Sequence, residues 1–416
     1  MRCVSYRAHM RPEISMMRLM IWACFCATVA AGAPEAPGAK TIADFESPAS
    51  TQIRVRQTAP GSVEGKVAGS ASGHYLSVSF RRSEEGGYAY VDVPVTAELA
   101  RSAGDYDGIS FKARGGASKT FGTIEIRTDE YRNIFQAVFT PDSTEWKEVT
   151  IRWDEFFQIN DTVKEAPIGW KAINVFAFGS RAGWGTVSFD VDDIALAKIA
   201  ARPKAAAPAG SQRLEKTIAK LRGGEVVKVV ALGDSITFGT KVAAEKRKTS
   251  LYFQVAAAGL EKAFPGAKVT TINAGVGGDT IGEGIVRIGH QVAAENPDLV
   301  MVLLGANDAI YSFPDTRVRS TMALLIDKLL ETTRAEVLLL GPTPAPDVPD
   351  TPERYSEVYR ELAGEKNVAY VSLGDSLKRL PSERYRAAFG DGVHLSESGH
   401  RVCGEAMLDY ILKLSR

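Results

Sequence analysis

Apolar residues along this chain follow two rhythms, and the change between them falls once, near residue 200. From about Thr41 to Lys198 apolar and polar positions alternate, as in Ile109, Phe111 and Ala113, then Val149, Ile151 and Trp153, then Val187, Phe189 and Val191. A period of two sends every second side chain to one face of a strand, and Gly, Asp, Ser and Pro clusters interrupt these segments at turn-like intervals. The pattern over 41–198 predicts an all-β sandwich or jelly roll. The Ala/Pro-rich run AARPKAAAPAG follows, and reads as a linker over 199–212.

Beyond the linker the rhythm is different. Continuous apolar runs appear in VVKVVAL before Gly233, VTTINA before Gly275, DLVMVLLG ending at Gly305, EVLLLG ending at Gly341 and VAYVSL before Gly374. Strands covered on both faces need such runs. Amphipathic stretches with helical spacing separate them: Leu251 to Phe264, Val286 to Glu295, Arg317 to Thr332 and Pro352 to Ala363. Strand then helix, repeated, predicts an α/β domain over 213–416 with a flavodoxin-like, five-stranded parallel sheet. Ligand sites of such sheets form at the carboxyl ends of the strands, where the glycine-rich loops fall.

Composition narrows the function. With 416 residues, 45% hydrophobic and 24% charged, the chain can build two cores. Lys plus Arg and Asp plus Glu both number 50, so no field of one sign gathers phosphate backbones, and nucleic acid is not an expected partner. Arg2, Arg7, Arg11 and Arg18 precede an uncharged stretch from Leu19 to Ala33 that ends in small residues. That is a signal-peptide pattern over 1–33, too short to span a bilayer, and it predicts export to the bacterial envelope or medium. Cys3, Cys24 and Cys26 would leave with the leader, so Cys403 remains as a core residue and no internal disulfide can form.

Four strand ends carry chemistry. They read Gly233-Asp234-Ser235, then Asn273 to Thr280 with three glycines, then Gly305-Ala306-Asn307-Asp308, and near the C-terminus Asp391-Gly392-Val393-His394. A serine hydroxyl attacks an ester only when an imidazole takes its proton, and a carboxylate on the other ring nitrogen holds the tautomer. Ser235, His394 and Asp391 fit those roles. Charge that develops on the carbonyl oxygen needs neutral donors, which the Ser235 amide, a glycine amide of the second loop and the Asn307 side chain can supply. Asp234, Asp279 and Asp308 are read as holding loop geometry, and His74, His290 and His400 as structural or solvated. No metal is expected in the catalysis, since no His, Cys and carboxylate cluster has ligand spacing.

These four blocks, in order over roughly Val226 to Leu414, resemble the SGNH (GDSL) hydrolases. The resemblance implies Ser235 as nucleophile, Gly278 and Asn307 as oxyanion donors, His394 as base and Asp391 as its partner. It selects Gly278 because the family places that glycine just before the Asp-Thr pair seen as Asp279-Thr280. The first domain resembles galactose-binding-like jelly rolls, carbohydrate-binding modules among them, through Ala43-Asp44-Phe45-Glu46, the Asp107 to Phe111 strand, Trp146 to Val149 and Phe189 to Ile194. That resemblance implies a sugar-binding or packing role and a structural calcium, with Asp44, Glu46 and Asp193 as candidate ligands. Tyr131, Phe157, Trp170 and Trp184 are candidate faces for pyranose rings.

Together these readings predict a secreted serine esterase that needs no cofactor and deacetylates a polysaccharide. The alternatives are a lipid-directed acylhydrolase such as a lysophospholipase, and a noncatalytic glycan-binding cell-wall protein. A linker between the halves further predicts that hydrolysis of a small ester does not depend on the β-domain.

Overall fold

The computed structural model describes residues 39–46, 53–57, 63–70, 73–80, 88–116, 121–128, 133–159, 173–181, 187–200, 214–348 and 352–416. The predicted leader, the linker beyond residue 200, and Tyr131, Trp170 and Trp184 lie outside them. From Gly38 to Arg416 the chain forms one compact unit.

The first half contains β1 (Lys40–Ala43), β2 (Arg54–Gln57), β3 (Val63–Ser70), β4 (Gly73–Phe80), β5 (Tyr88–Pro94), β6 (Gly108–Gly115), β7 (Gly122–Thr128), β8 (Asn133–Phe139), β9 (Lys147–Arg152), β10 (Phe157–Gln158), β11 (Ile173–Arg181) and β12 (Val187–Ala197). They build two antiparallel sheets, one ordered β3-β4-β12-β6-β9 with β1 on β12, the other β10-β8-β7-β11-β5-β2. The period-two pattern fixes which side faces in. Ile109, Phe111 and Ala113 of β6 are buried while Lys112 points out. Phe111, Phe139, Phe178 and Phe189 meet edge to face between the sheets, with ring centroids 5.1 to 6.4 Å apart.

The second half is a parallel sheet of β13 (Val226–Gly233), β14 (Lys268–Gly275), β15 (Leu299–Leu303), β16 (Glu336–Gly341) and β17 (Ala369–Ser372) in the order β14-β13-β15-β16-β17. This is the predicted flavodoxin-like order, with its switch point beside β13. The continuous apolar runs are explained by two cores. Val230 and Leu232 of β13, Val300 and Val302 of β15, and Val337 and Leu339 of β16 pack into one. Val229 and Ala231, Leu299, Met301 and Leu303, and Leu338 and Leu340 pack into the other.

The second core is covered by α2 (Glu215–Arg222), α4 (Tyr252–Ala263) and α11 (Glu397–Leu414); the first by α5 (Ile281–Arg287), α7 (Asp315–Thr332) and α8 (Ser356–Lys366). The short helices α3 (Ser235–Phe238) and α6 (Ala306–Ile310) follow β13 and β15, α1 (Ala97–Ser102) lies between β5 and β6, and α9 (Leu373–Lys378) and α10 (Ser382–Ala387) lie between β17 and α11. One boundary departs from the apolar pattern. The helix expected to begin at Val286 starts at Ile281, because Thr280 and Glu283 cap each other's ends, with the Thr280 N–H 2.8 Å from the Glu283 carboxylate.

The two halves share a core. Phe121, Val138 and Phe157 of the sandwich belong to the apolar cluster that contains Ile281 and Ile285 of α5 and Leu325 of α7. Glu155 and Lys328, both largely buried, form an ion pair at 3.2 Å across the same boundary.

Candidate active site

Strand β13 ends at Gly233, where any Cβ would collide with Thr237, so the chain can turn sharply into α3. Asp234 caps that helix, its carboxylate accepting the Ile236 N–H at 2.9 Å. Burial pushes the Asp234 carboxyl up to about 6, against the pull of the Ile236 N–H and of the His394 and Arg287 side chains. Ser235 is the first residue of α3, and its Oγ lies 2.9 Å from Nε2 of His394.

The Asp391 to His394 spacing has a local cause. One Asp391 oxygen accepts the N–H groups of Val393 and His394 at 2.9 and 2.7 Å, closing a turn that folds the ring back onto the carboxylate. Nδ1 of His394 then sits 2.9 and 3.1 Å from the two Asp391 oxygens. With Nδ1 donating to the carboxylate, Nε2 is left to accept from the serine hydroxyl. The Lys241 ammonium stands 3.3 Å from Asp391. Burial pushes the Asp391 carboxyl up, but the His394 backbone and ring, the Val393 N–H and Lys241 together hold it well below the usual carboxylate range.

The second loop passes beside the serine. Its Val276 N–H donates to Gly233 at 3.0 Å, and a Cβ on Gly277 would sit 3.9 Å from the Ser235 Cβ. Gly278 has φ +86°, while a Cβ there meets nothing within 4 Å, so conformation rather than space selects glycine. Asn307, in α6, donates one hydrogen of its side-chain amide to the Asp279 carbonyl at 2.8 Å, which fixes the amide beside this loop. Ser235, Gly278, Asn307, Asp391 and His394 thus come from four loops at the carboxyl edge of the sheet. The arrangement can take a proton from a hydroxyl and hold a carboxylate against the resulting imidazolium.

Two of the acids read as loop holders do that in specific ways. Asp308 accepts the Ile281 N–H at 3.1 Å and so ties the Asn307 segment to the start of α5. Burial pushes its carboxyl up to about 7, against the pull of the Ile281 N–H and of Arg317. A raised folded pKa means that the native state keeps a proton the unfolded chain releases. Between roughly pH 4 and 7 this group should therefore lower stability by about 1.4 kcal/mol per pH unit as pH rises, levelling above 7. Thermal melts across that range should show a flatter fall for Asp308→Asn than for the unaltered protein. An identical slope would contradict the assignment.

Asp279 pairs at 2.6 Å with Arg287, a residue the sequence reading missed. Arg287 is wholly buried and donates to the Ala274 carbonyl at 2.8 Å and the Gly233 carbonyl at 3.0 Å. It therefore clamps the ends of β13 and β14 and the loop that carries Gly278. The available signal was an arginine inside the apolar run Ile285-Val286-Arg287-Ile288, a few residues after an aspartate that also had to be buried.

The remaining predicted residues fall elsewhere. His400 is buried, stacks on Tyr252 and is pushed down to about 4 by burial, while His74 lies 3.7 Å from Glu46. Burial pushes the Cys403 thiol up to about 12, as befits a core residue. Phe157 is buried at the boundary between the halves, so its ring is not a surface for a sugar. Asp193 pairs with Lys112 at 2.6 Å, Glu46 accepts the His74 N–H, and Asp44 accepts the Glu46 N–H. Among the described residues no group of three His, Cys, Asp or Glu side chains is placed to hold a metal.

Comparison with known proteins places relatives along both halves of the chain. Residues 47–191 match the Complex I intermediate-associated protein 30 (CIA30) family. An arylesterase of Vibrio mimicus is 32% identical over 135 residues, 32% of this chain and 62% of that protein. An acetylxylan esterase of Geobacillus stearothermophilus is 25% identical over 210 residues, 45% of this chain and 94% of that protein. A solved two-domain esterase active on acetylated mannans superimposes with TM-score 0.42 and 23% identity, over 49% of this chain and 54% of its own. This chain thus spans less than two thirds of the arylesterase and of that two-domain esterase. Residues 231–402 match the GDSL-like lipase/acylhydrolase family, and the C-terminal half of this chain is a domain of that family.

Proposed function

We propose that the chain is an exported carboxylic ester hydrolase that removes acetyl groups from a polysaccharide. The observation that carries the reading is the connected path from Asp391 through His394 to Ser235, 2.9 Å at each step, beside the fixed amide of Asn307. In this reading the Ser235 hydroxyl attacks the acetyl carbonyl while His394 takes its proton. The Ser235 and Gly278 N–H groups and the second Asn307 amide hydrogen stabilise the oxyanion. His394 then returns the proton to the departing sugar oxygen, and water releases acetate from the acetyl-serine by the same steps in reverse order.

Similarity to an acetylxylan esterase along nearly its whole length supports a short acyl group on a sugar. Phe238, Ile310 and Tyr311, large apolar side chains left exposed, belong to or adjoin the helices that begin with Ser235 and carry Asn307. They offer apolar faces on which a pyranose ring can rest. The leader-like N-terminus supports export, and among the described residues no helix is long and apolar enough to cross a membrane.

Acetate release from acetylated xylan and other acetylated glycans, measured beside p-nitrophenyl acetate and a long-chain p-nitrophenyl ester, tests the reading. Release from one glycan with preference for the short ester is expected. Preference for the long chain with silent glycans would transfer the activity to lipids.

A further inference from the structure

The sandwich touches the site at a defined place, the two-residue strand β10. A Cβ on Gly282, in the first turn of α5, would fall 2.9 Å from Cδ2 and 3.0 Å from Cε2 of Phe157, so glycine there is what lets the ring rest against the helix backbone. That turn begins three residues after Gly278, with Thr280 as its cap. The next residue, Gln158, accepts at its carbonyl a hydrogen bond of 2.6 Å from Arg317. The Arg317 guanidinium carbon lies over Phe313, 3.4 Å from the ring centre, and its charge acts on Asp308, the neighbour of Asn307. Asp308 in turn holds the Ile281 N–H. Phe157 therefore bears on the segment after Gly278, and Gln158 on the segment after Asn307.

We infer that β10 of the sandwich positions both oxyanion loops, which makes Phe157 a positioning residue for the hydrolysis and the β-domain a working part of the catalytic apparatus. This rests on the proposed esterase reading, and it replaces the expectation that small-ester hydrolysis is independent of the first half. A purely structural boundary would be indifferent to which of its contacts is cut. The Glu155–Lys328 pair supplies the comparison, since it joins the same two halves but involves neither oxyanion loop.

The test uses the full-length protein with Phe157→Ala, Phe157→Leu and Lys328→Met. On p-nitrophenyl acetate, Phe157→Ala should lower kcat about 10- to 100-fold with KM within about twofold, as expected for displaced transition-state donors. Phe157→Leu should recover most of the loss, and Lys328→Met should lower Tm while sparing kcat. Amide exchange read by mass spectrometry should accelerate over residues 276–283 in Phe157→Ala and not in Lys328→Met. Unchanged exchange and kcat in Phe157→Ala, or equal losses in Phe157→Ala and Lys328→Met, would overturn the inference. If the unaltered protein hydrolyses no ester, the esterase reading fails and the exchange result alone decides whether β10 holds the loops.

Discussion

Ser235→Ala is expected to lower kcat on p-nitrophenyl acetate by roughly 10⁴- to 10⁶-fold, with little change in Tm or KM. The size follows from what the substitution removes. Without Oγ no acetyl-enzyme can form, and His394 loses the hydroxyl it faces at 2.9 Å. The proposed oxyanion donors and the bound substrate survive, so a residual acceleration over water should persist. The fold should be untouched, because the capping contact at this turn comes from Asp234 and not from the serine side chain. Turnover within tenfold of the unaltered enzyme would remove Ser235 from the mechanism.

Arg287→Ala is expected to be the costliest single change to stability, at about 3–5 kcal/mol. It strands the buried Asp279 carboxylate and leaves the carbonyls of Gly233 and Ala274 without this donor. Tm should fall on the order of 10 °C, read by calorimetry. Much of that loss is the cost of an uncompensated buried charge, so adding Asp279→Asn to Arg287→Ala should recover part of it. Activity should fall as well, since the clamp fixes the ends of both strands that carry Ser235 and Gly278. A single variant that melts within about 2 °C of the parent would contradict the role assigned to this pair.

The contrast between these two residues shows what a sequence can disclose. The proposed roles of Ser235, Asn307, Asp391 and His394 are legible because such chemistry needs particular side chains at the ends of particular strands, and the apolar runs locate those ends. The two-core sheet is legible for a related reason: strands buried on both faces have no alternative to continuous Val, Leu and Ile. Arg287 was hidden because its role depends on being enclosed, which only the tertiary fold decides. The Phe157 contact was hidden more deeply. In the β-rich half an aromatic of this kind reads as a candidate face for a sugar, whereas its ring packs on a glycine well over a hundred residues away in the other half. A linker-like segment near residue 200 suggested independent halves. Linker composition shows that a stretch of chain carries little apolar surface, and says nothing of whether the elements on either side share a core, as β10 and α5 do.

Covalent catalysis by Ser235 is tested by mixing the full-length protein with p-nitrophenyl acetate, quenching in acid within the first turnover, and digesting for mass spectrometry. A mass gain of one acetyl group is expected on the peptide containing Ser235, absent from Ser235→Ala and slower to appear in His394→Ala. Rapid hydrolysis with no acetylated peptide, or acetyl carried by another residue, would contradict it.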